Sequence, residues 1–236
     1  MGSHVSYRLE GSIATITMDD GKVNALSLAM LAQLNGALDQ ALADRAVVVL
    51  AGRKGVFSAG FDLAVLKAGG PDAPAMVRGG FELAARLLAF PAPVVIACTG
   101  HAIAMGVFLV LSGDYRVGTA GAFKVTANEV ALGLTMPQAA IEICRQRLAP
   151  AHLHRALVLA EPYSPDDAIA AGFLDRVVPG AELPGVAAGL AAMLVPLDRD
   201  AHAATKLRLH APALAALRAA IEADDHQLRV RGQGGL

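Results

Sequence analysis

The apolar positions of this chain follow two rhythms in turn. Ile13, Thr15 and Thr17 alternate with Ala14, Ile16 and Met18 at the two-residue period of a strand, and residues 7–19 read as two strands around a turn at Glu10-Gly11. Asp19-Asp20-Gly21-Lys22 is a turn. The period then lengthens. Ser27 is placed to cap a helix through Ala43, with Leu28, Leu31, Leu34, Leu38 and Leu42 on one stripe. Residues 47–51 form an unbroken apolar run, the pattern of a parallel strand covered on both faces. Strand, strand, helix, strand predicts an α/β fold.

The stretch 94–114 organises the rest. Val94-Val95-Ile96 suits a buried strand, Thr99-Gly100 breaks it, and residues 102–105 form a small apolar loop. Gly106 permits close approach, and residues 107–111 read as the first turns of a buried helix. A helix start exposes N–H groups without partners and carries partial positive charge, which can stabilise an oxyanion. Two plainer readings compete: a membrane-spanning helix, because no charge precedes Asp114, and an ordinary strand–loop–helix unit. Thr99-Gly100-His101 in mid-run argues against the first.

Other segments follow the same logic. Residues 52–63 read as a loop at the carboxyl end of a strand, where α/β sheets bind ligands. Arg53 and Lys54 there suit either a phosphate or a solvated basic turn, and Asp62 suits a helix cap better than catalysis. Residues 68–74 are rich in Gly and Pro, and 76–90 predict a second helix. Residues 115–117 and 123–125 predict strands; 137–148, 151–160 and 166–171 predict helices, the last ending at Gly172. In 137–148, Ile141, Ile143 and Cys144 are expected inward, Arg145 and Arg147 outward. Residues 173–178 read as a strand-like exit, and the Ala/Leu-rich tail predicts helices over 183–194 and 203–228. Glu129 stands beside a long uncharged run; there a carboxylate loses water, its pKa rises, and it becomes suited to proton transfer, unless it merely caps a turn.

Composition narrows the field. Hydrophobic residues make up 55% and formal net charge is −1, so no nucleic-acid surface or polybasic membrane contact is expected. Cys98 and Cys144, the only cysteines, lie in apolar settings and fit a reducing, cytoplasmic location. No basic-then-apolar leader opens the chain, and Gly2-Ser3-His4 is set aside as a tag remnant. No metal-ligand set is visible; His101 reads as structural, and His152 and His154 as exposed.

Three motifs carry a resemblance. Phe57-Ser58-Ala59-Gly60-Phe61-Asp62-Leu63 is similar to F-[SA]-A-G-x-D-[LI], residues 100–106 to G-x-A-x-G-G-G, and residues 164–178 to S-x-x-x-A-x-x-x-G-L-V-x-x-V. In this order they resemble the crotonase superfamily, the enoyl-CoA hydratase/isomerase family. The resemblance implies a ββα-repeat spiral core over residues 1–178 and a C-terminal helical region over 179–236 that serves packing or oligomerisation, as a homotrimer or a hexamer. It implies an acyl-CoA thioester as substrate and no cofactor beyond the coenzyme A it carries. The backbone N–H groups of Phe61 and Met105 would hold the thioester oxygen, and Ala25, Ala59, Gly60, Asp62, Leu63, Gly106 and Phe108 would line the substrate. Met105 stands where the family has glycine, and its side chain is expected to narrow the acyl pocket. Lys206, Arg208 and Arg218 are within reach of a CoA-phosphate role but suit a solvated face better.

The acid–base residues separate the reactions. Hydratases of this family use two glutamates; Phe108 occupies the first position and Glu129 the second. One carboxylate beside an apolar residue resembles an enoyl-CoA Δ3–Δ2 isomerase, as does Asn128-Glu129-x-x-Leu132-Gly133. Two alternatives stay open: a hydratase or other crotonase-type lyase or hydrolase using Glu129 alone, and a catalytically silent acyl-CoA binder. If Phe108 lines the pocket, Phe108→Glu is expected to raise hydration.

Overall fold

The computed structural model describes residues 3–233; Met1, Gly2 and 234–236, at the outer ends of the two predicted regions, lie outside the described residues. The first strands are β1 (Val5–Glu10) and β2 (Ile13–Met18), an antiparallel hairpin in the register Glu10↔Ile13. Helix α1 (Leu28–Ala43) starts where Ser27 accepts a hydrogen bond from the Met30 amide at 3.2 Å. Its buried face is Met30, Leu31, Leu34, Ala37, Leu38 and Ala41, while the expected stripe members Leu28 and Leu42 are exposed. At 3.6 residues per turn a stripe drifts, and the two end leucines rotate off the buried face.

From here the chain repeats one unit. Strand β3 (Val47–Ala51) is followed by short β4 (Gly55–Ser58), then α2 (Leu63–Ala68) and α3 (Asp72–Leu88). Strand β5 (Val94–Cys98) is followed by β6 (Gly100–Ile103) and α4 (Met105–Leu111), and β7 (Tyr115–Thr119) by β8 (Val125–Thr126). The first strand of each unit joins a six-stranded sheet in the order β1-β2-β3-β5-β7-β9, where β9 is Arg176–Val178. The second joins a three-stranded parallel sheet, β4-β6-β8. This sheet was not legible: the stretches expected as loops at 52–63 and 102–105 contain β4 and the end of β6. Both strands are four residues long, begin with glycine and lack alternation, so the strand signal is missing.

Helices α5 (Gln138–Arg147), α6 (Pro150–Leu157), α7 (Pro165–Ala171), α8 (Leu183–Leu194) and α9 (Arg199–Gln233) complete the chain. The large sheet buries both faces. One packs on α1, α3, α4 and α5; on the other, Val47, Val49, Val95, Ala97 and Val117 meet Leu183, Ala187 and Ala191 of α8. That explains the unbroken apolar runs of β3 and β5. Helix α9 packs against α3 and α5. Asp224 accepts from the Gln138 and Ala139 amides at 3.1 and 2.9 Å, capping α5 from another helix. Arg78 of α3 reaches Glu222 at 2.5 Å.

Two basic residues are not on the solvated faces expected of them. Lys206 of α9 is buried and ion-paired to Asp114 at 2.6 Å. Arg147, expected outward, donates to the carbonyls of Leu111 and Gly113, satisfying the end of α4. Sequence periodicity gives the face of a helix but not which neighbour covers it.

Candidate active site

The site is assembled at the seam between the small sheet and the start of α4. A turn after β2 prepares it. Asp20 accepts from the amides of Lys22, Asn24 and Ala25, and these bonds, against its partial burial, hold its carboxyl below the usual range. Asn24 is buried with φ of +52°, a conformation asparagine tolerates better than most residues. Its Nδ2 donates to the carbonyls of Met18 and Phe57, each at 3.0 Å. Ser58 Oγ donates to the Asn24 carbonyl and accepts from the Gly60 amide. Thus Asn24 ties β2 to β4 and fixes the 58–61 loop. The sequence reading missed it; the Asp-x-x-x-Asn spacing in a turn was the available signal.

Gly60 has φ of +90°, and a β-carbon there would stand 2.9 Å from the Ala104 Cβ and 3.2 Å from the Met105 nitrogen. Glycine is therefore required twice over, by conformation and by space. The close approach places the Phe61 amide and the Met105 amide on adjoining loops. Neither donates to a protein acceptor among the described residues. Ala104, just before α4, has φ of +51° and ψ of −126°, a strained conformation for a residue with a Cβ. Gly106 lies on the Ser58 carbonyl, which a β-carbon would meet at 2.4 Å, so the start of α4 rests directly on the 58–61 loop.

The side chains behind these amides are apolar. Phe81 of α3 lies edge-on to Phe61 and stacked with Phe108, both at 6.1 Å between ring centres. Met105 is fully buried, its Cγ beside Gly80 of α3, where the Phe61 ring also packs. Of the three rings only Phe61 is partly exposed; Phe108 is 1% exposed. Of the remaining expected substrate-lining residues, Ala25 and Ala59 are half-buried on the 20–25 and 58–61 loops, and Leu63 is exposed. Asp62 accepts from the Ala64 amide at 2.8 Å and caps α2.

Strand β8 brings the carboxylate. The Ala104 amide donates to the Thr126 carbonyl at 3.0 Å, so the chain passes beside the start of α4 three residues before Glu129. Glu129 begins a single 3₁₀ turn, Val130–Leu132, and its carbonyl accepts from Leu132 and Leu134. Its side chain is buried, and Oε2 has no hydrogen-bond partner among the described residues. Burial pushes its pKa up to about 7, opposed only by a bond to its own backbone. Cys144 of α5 feels the Glu129 charge; that and burial, the larger effect, hold its thiol protonated. Cys98 is also buried, its pKa pushed up to about 12.

Other residues singled out by sequence have structural partners. His101 Nδ1 accepts from the Lys124 amide at 3.0 Å, and its ring meets Phe123 edge-on. Arg53 binds Asp19 and the Lys22 carbonyl. His152, expected exposed, is half-buried with Nδ1 3.4 Å from the Tyr163 hydroxyl. Arg218 borders an open groove of about 390 Å³ between α3 and α9, which shares no residue with the Gly60, Met105 and Glu129 loops. Among the described residues no helix is long and apolar enough to cross a membrane.

Comparison with known proteins agrees with this architecture. A family model described as Enoyl-CoA hydratase/isomerase matches residues 8–231. The structure of an enoyl-CoA hydratase/isomerase family protein from Pseudomonas syringae is 45% identical, with a TM-score of 0.94, covering 95% of this chain and 98% of that one. An enoyl-CoA isomerase from Mycobacterium tuberculosis is 49% identical with a TM-score of 0.90, covering 94% and 97%. Carnitinyl-CoA dehydratase from Salmonella paratyphi A is 32% identical over 201 residues, 83% of this chain and 76% of that protein. A ββα-repeat core, the three sequence motifs and a match over nearly the whole length lead to one conclusion: this chain belongs to the enoyl-CoA hydratase/isomerase family.

Proposed function

We propose that the chain is an enoyl-CoA Δ3–Δ2 isomerase that moves a C3 double bond to C2 of an acyl-CoA thioester. The observation that carries the reading is the buried carboxylate of Glu129, whose pKa burial raises, together with the apolar Phe108 at the position where the family's hydratases have their other glutamate. The Phe61 and Met105 amides bind the thioester oxygen. Glu129, ionised, takes a proton from C2; the electrons move onto that oxygen, and the two amides stabilise the charge most in the transition state. Protonated Glu129 then delivers the proton to C4. A pKa near 7 suits a group that must both accept and return a proton at neutral pH.

One name of the mycobacterial relative, enoyl-CoA isomerase, supports this reading, while the same protein is also named a probable enoyl-CoA hydratase; the partly exposed Phe61 ring, backed by Phe81, offers an apolar side that limits competing addition of water. The same reading carries a cytoplasmic enzyme assembled as a trimer or a dimer of trimers. The exposed Val130, Leu132 and Leu134 next to Glu129 are an apolar face suited to a neighbouring subunit. The test is product analysis: with a 3-enoyl-CoA the protein forms the conjugated 2-enoyl-CoA. Consumption of 2-enoyl-CoA alone, giving 3-hydroxyacyl-CoA, would reverse the ranking in favour of a hydratase.

A further inference from the structure

Beside Glu129 the chain carries polar atoms that the proton-transfer scheme leaves unused. Thr126 Oγ1, Asn128 Oδ1 and Glu129 Oε2 are all buried and have no hydrogen-bond partner among the described residues. They fall within four consecutive positions, on the segment whose Thr126 carbonyl holds the Ala104 amide. Thr126 is 5% exposed and Glu129 8%, and Asn128 is half-buried with its Oδ1 covered, so bulk solvent does not reach these three atoms. Buried polar groups in folded proteins are nearly always paired, with protein or with an internal water, and three unpaired atoms on one short segment leave room for a partner common to them.

The donor and acceptor inventory identifies that partner. An amide oxygen accepts, an ionised carboxylate oxygen accepts, and a hydroxyl donates as well as accepts. One water molecule matches all three: it donates one O–H to Asn128 and one to Glu129, and accepts from Thr126. Three bonds is also the usual valence of an internal water.

We propose that Thr126 and Asn128 are positioning residues that hold one ordered water against Oε2 of Glu129. The inference rests on the reading of Glu129 as the proton carrier and extends it. When the C2–H bond breaks, the proton passes to Oε2 and the electron pair to the thioester enolate. Before the bond to C4 forms, that proton exchanges with one from the held water. The water also stabilises the ionised carboxylate, so without it the pKa rises. The titratable group packed near is Cys144 of α5, which burial keeps protonated, and no charged side chain contributes to the displacement of Glu129 itself.

Infrared spectra of the free protein across pH, with Glu129→Gln subtracted, read this ionisation without turnover. Asn128→Leu and Thr126→Val each remove a water partner with little change in volume, and thermal unfolding confirms that they fold. Each is expected to raise the Glu129 midpoint by about one unit, with Asn128→Ser, which keeps an acceptor, moving it less. In D2O the wild type places deuterium at C4 of the product, and Asn128→Leu retains at least about twofold more protium there, because the exchanging water is lost. An unchanged midpoint in both Thr126→Val and Asn128→Leu overturns the proposal, as does unchanged deuterium content. A shifted midpoint in a wild-type background that does not isomerise supports the water site and removes the isomerase reading, so the two stand or fall separately.

Discussion

Gly60 faces the amide of Met105 so closely that a β-carbon on it would lie 3.2 Å from that nitrogen. Two segments 45 positions apart are thereby in direct contact, and an added carbon forces one of them to give way. Gly60→Ala must push back Ala104 and the Ile103 carbonyl and hold alanine at a φ of +90°. It is expected to cost about 1–3 kcal/mol of stability and, by turning an amide proposed to hold the thioester oxygen, about 10²-fold in kcat. Urea unfolding and steady-state kinetics on the folded fraction separate the two effects.

Glu129 makes stability depend on pH and, on the proposed mechanism, activity as well, with the opposite sign. Its carboxyl is raised from 4.5 to about 7 in the folded protein, so between these values the native state holds a proton that the unfolded chain releases. Its contribution to stability therefore falls as pH rises from about 4.5 to 7, and above 7 it is a constant penalty of up to about 3 kcal/mol. Glu129→Gln should be more stable than the parent at pH 8 and lose that advantage at pH 5. On the proposed mechanism activity runs the other way: as the base Glu129 must be ionised, so kcat/KM is expected to rise through pH 7. Calorimetry and a pH–rate profile check the pair.

Legibility in the sequence followed the strength of local signals. The hairpin, α1 with its Ser27 cap, β3, β5 and Gly172 at the end of α7 are each written in period or in cap chemistry, and the structure agrees. The small sheet was not legible because β4 and β6 are short and glycine-led; their pairing is a tertiary event. The desolvation of Glu129 could be read from its apolar neighbours. For Asn24 only the spacing from Asp20 was a signal, since its bonds to Met18 and Phe57 depend on two strands arriving beside it. Lys206 looked solvated because its partner, Asp114, lies 92 positions away.

Phe108 is the substitution point at which sequence and structure give different expectations. Read as a pocket wall, Phe108→Glu would add hydration. In the fold Phe108 is 1% exposed and stacked on Phe81. A carboxylate there is buried without a partner and the stack is lost, so the variant is expected to lose about 3 kcal/mol or more and gain no hydratase activity. Denaturation midpoints and an assay with 2-enoyl-CoA test this directly.

Helix α9 contributes to the core fold through Asp224. Its carboxylate accepts from two amides at the start of α5, the helix that carries Cys144 beside Glu129. Asp224→Ala removes a cap and a favourable charge, with an expected loss of about 1 kcal/mol. Asp224→Asn should recover part of it by keeping one acceptor. Chemical denaturation of the three proteins gives the series.

The central claim is that Glu129 moves the proton while backbone amides hold the thioester. Turnover of a 3-enoyl-CoA by Glu129→Gln, measured beside its affinity for an acyl-CoA, tests this most directly. The account predicts near-wild-type affinity with kcat reduced at least about 10³-fold. Isomerisation by Glu129→Gln at close to the parent rate would contradict it.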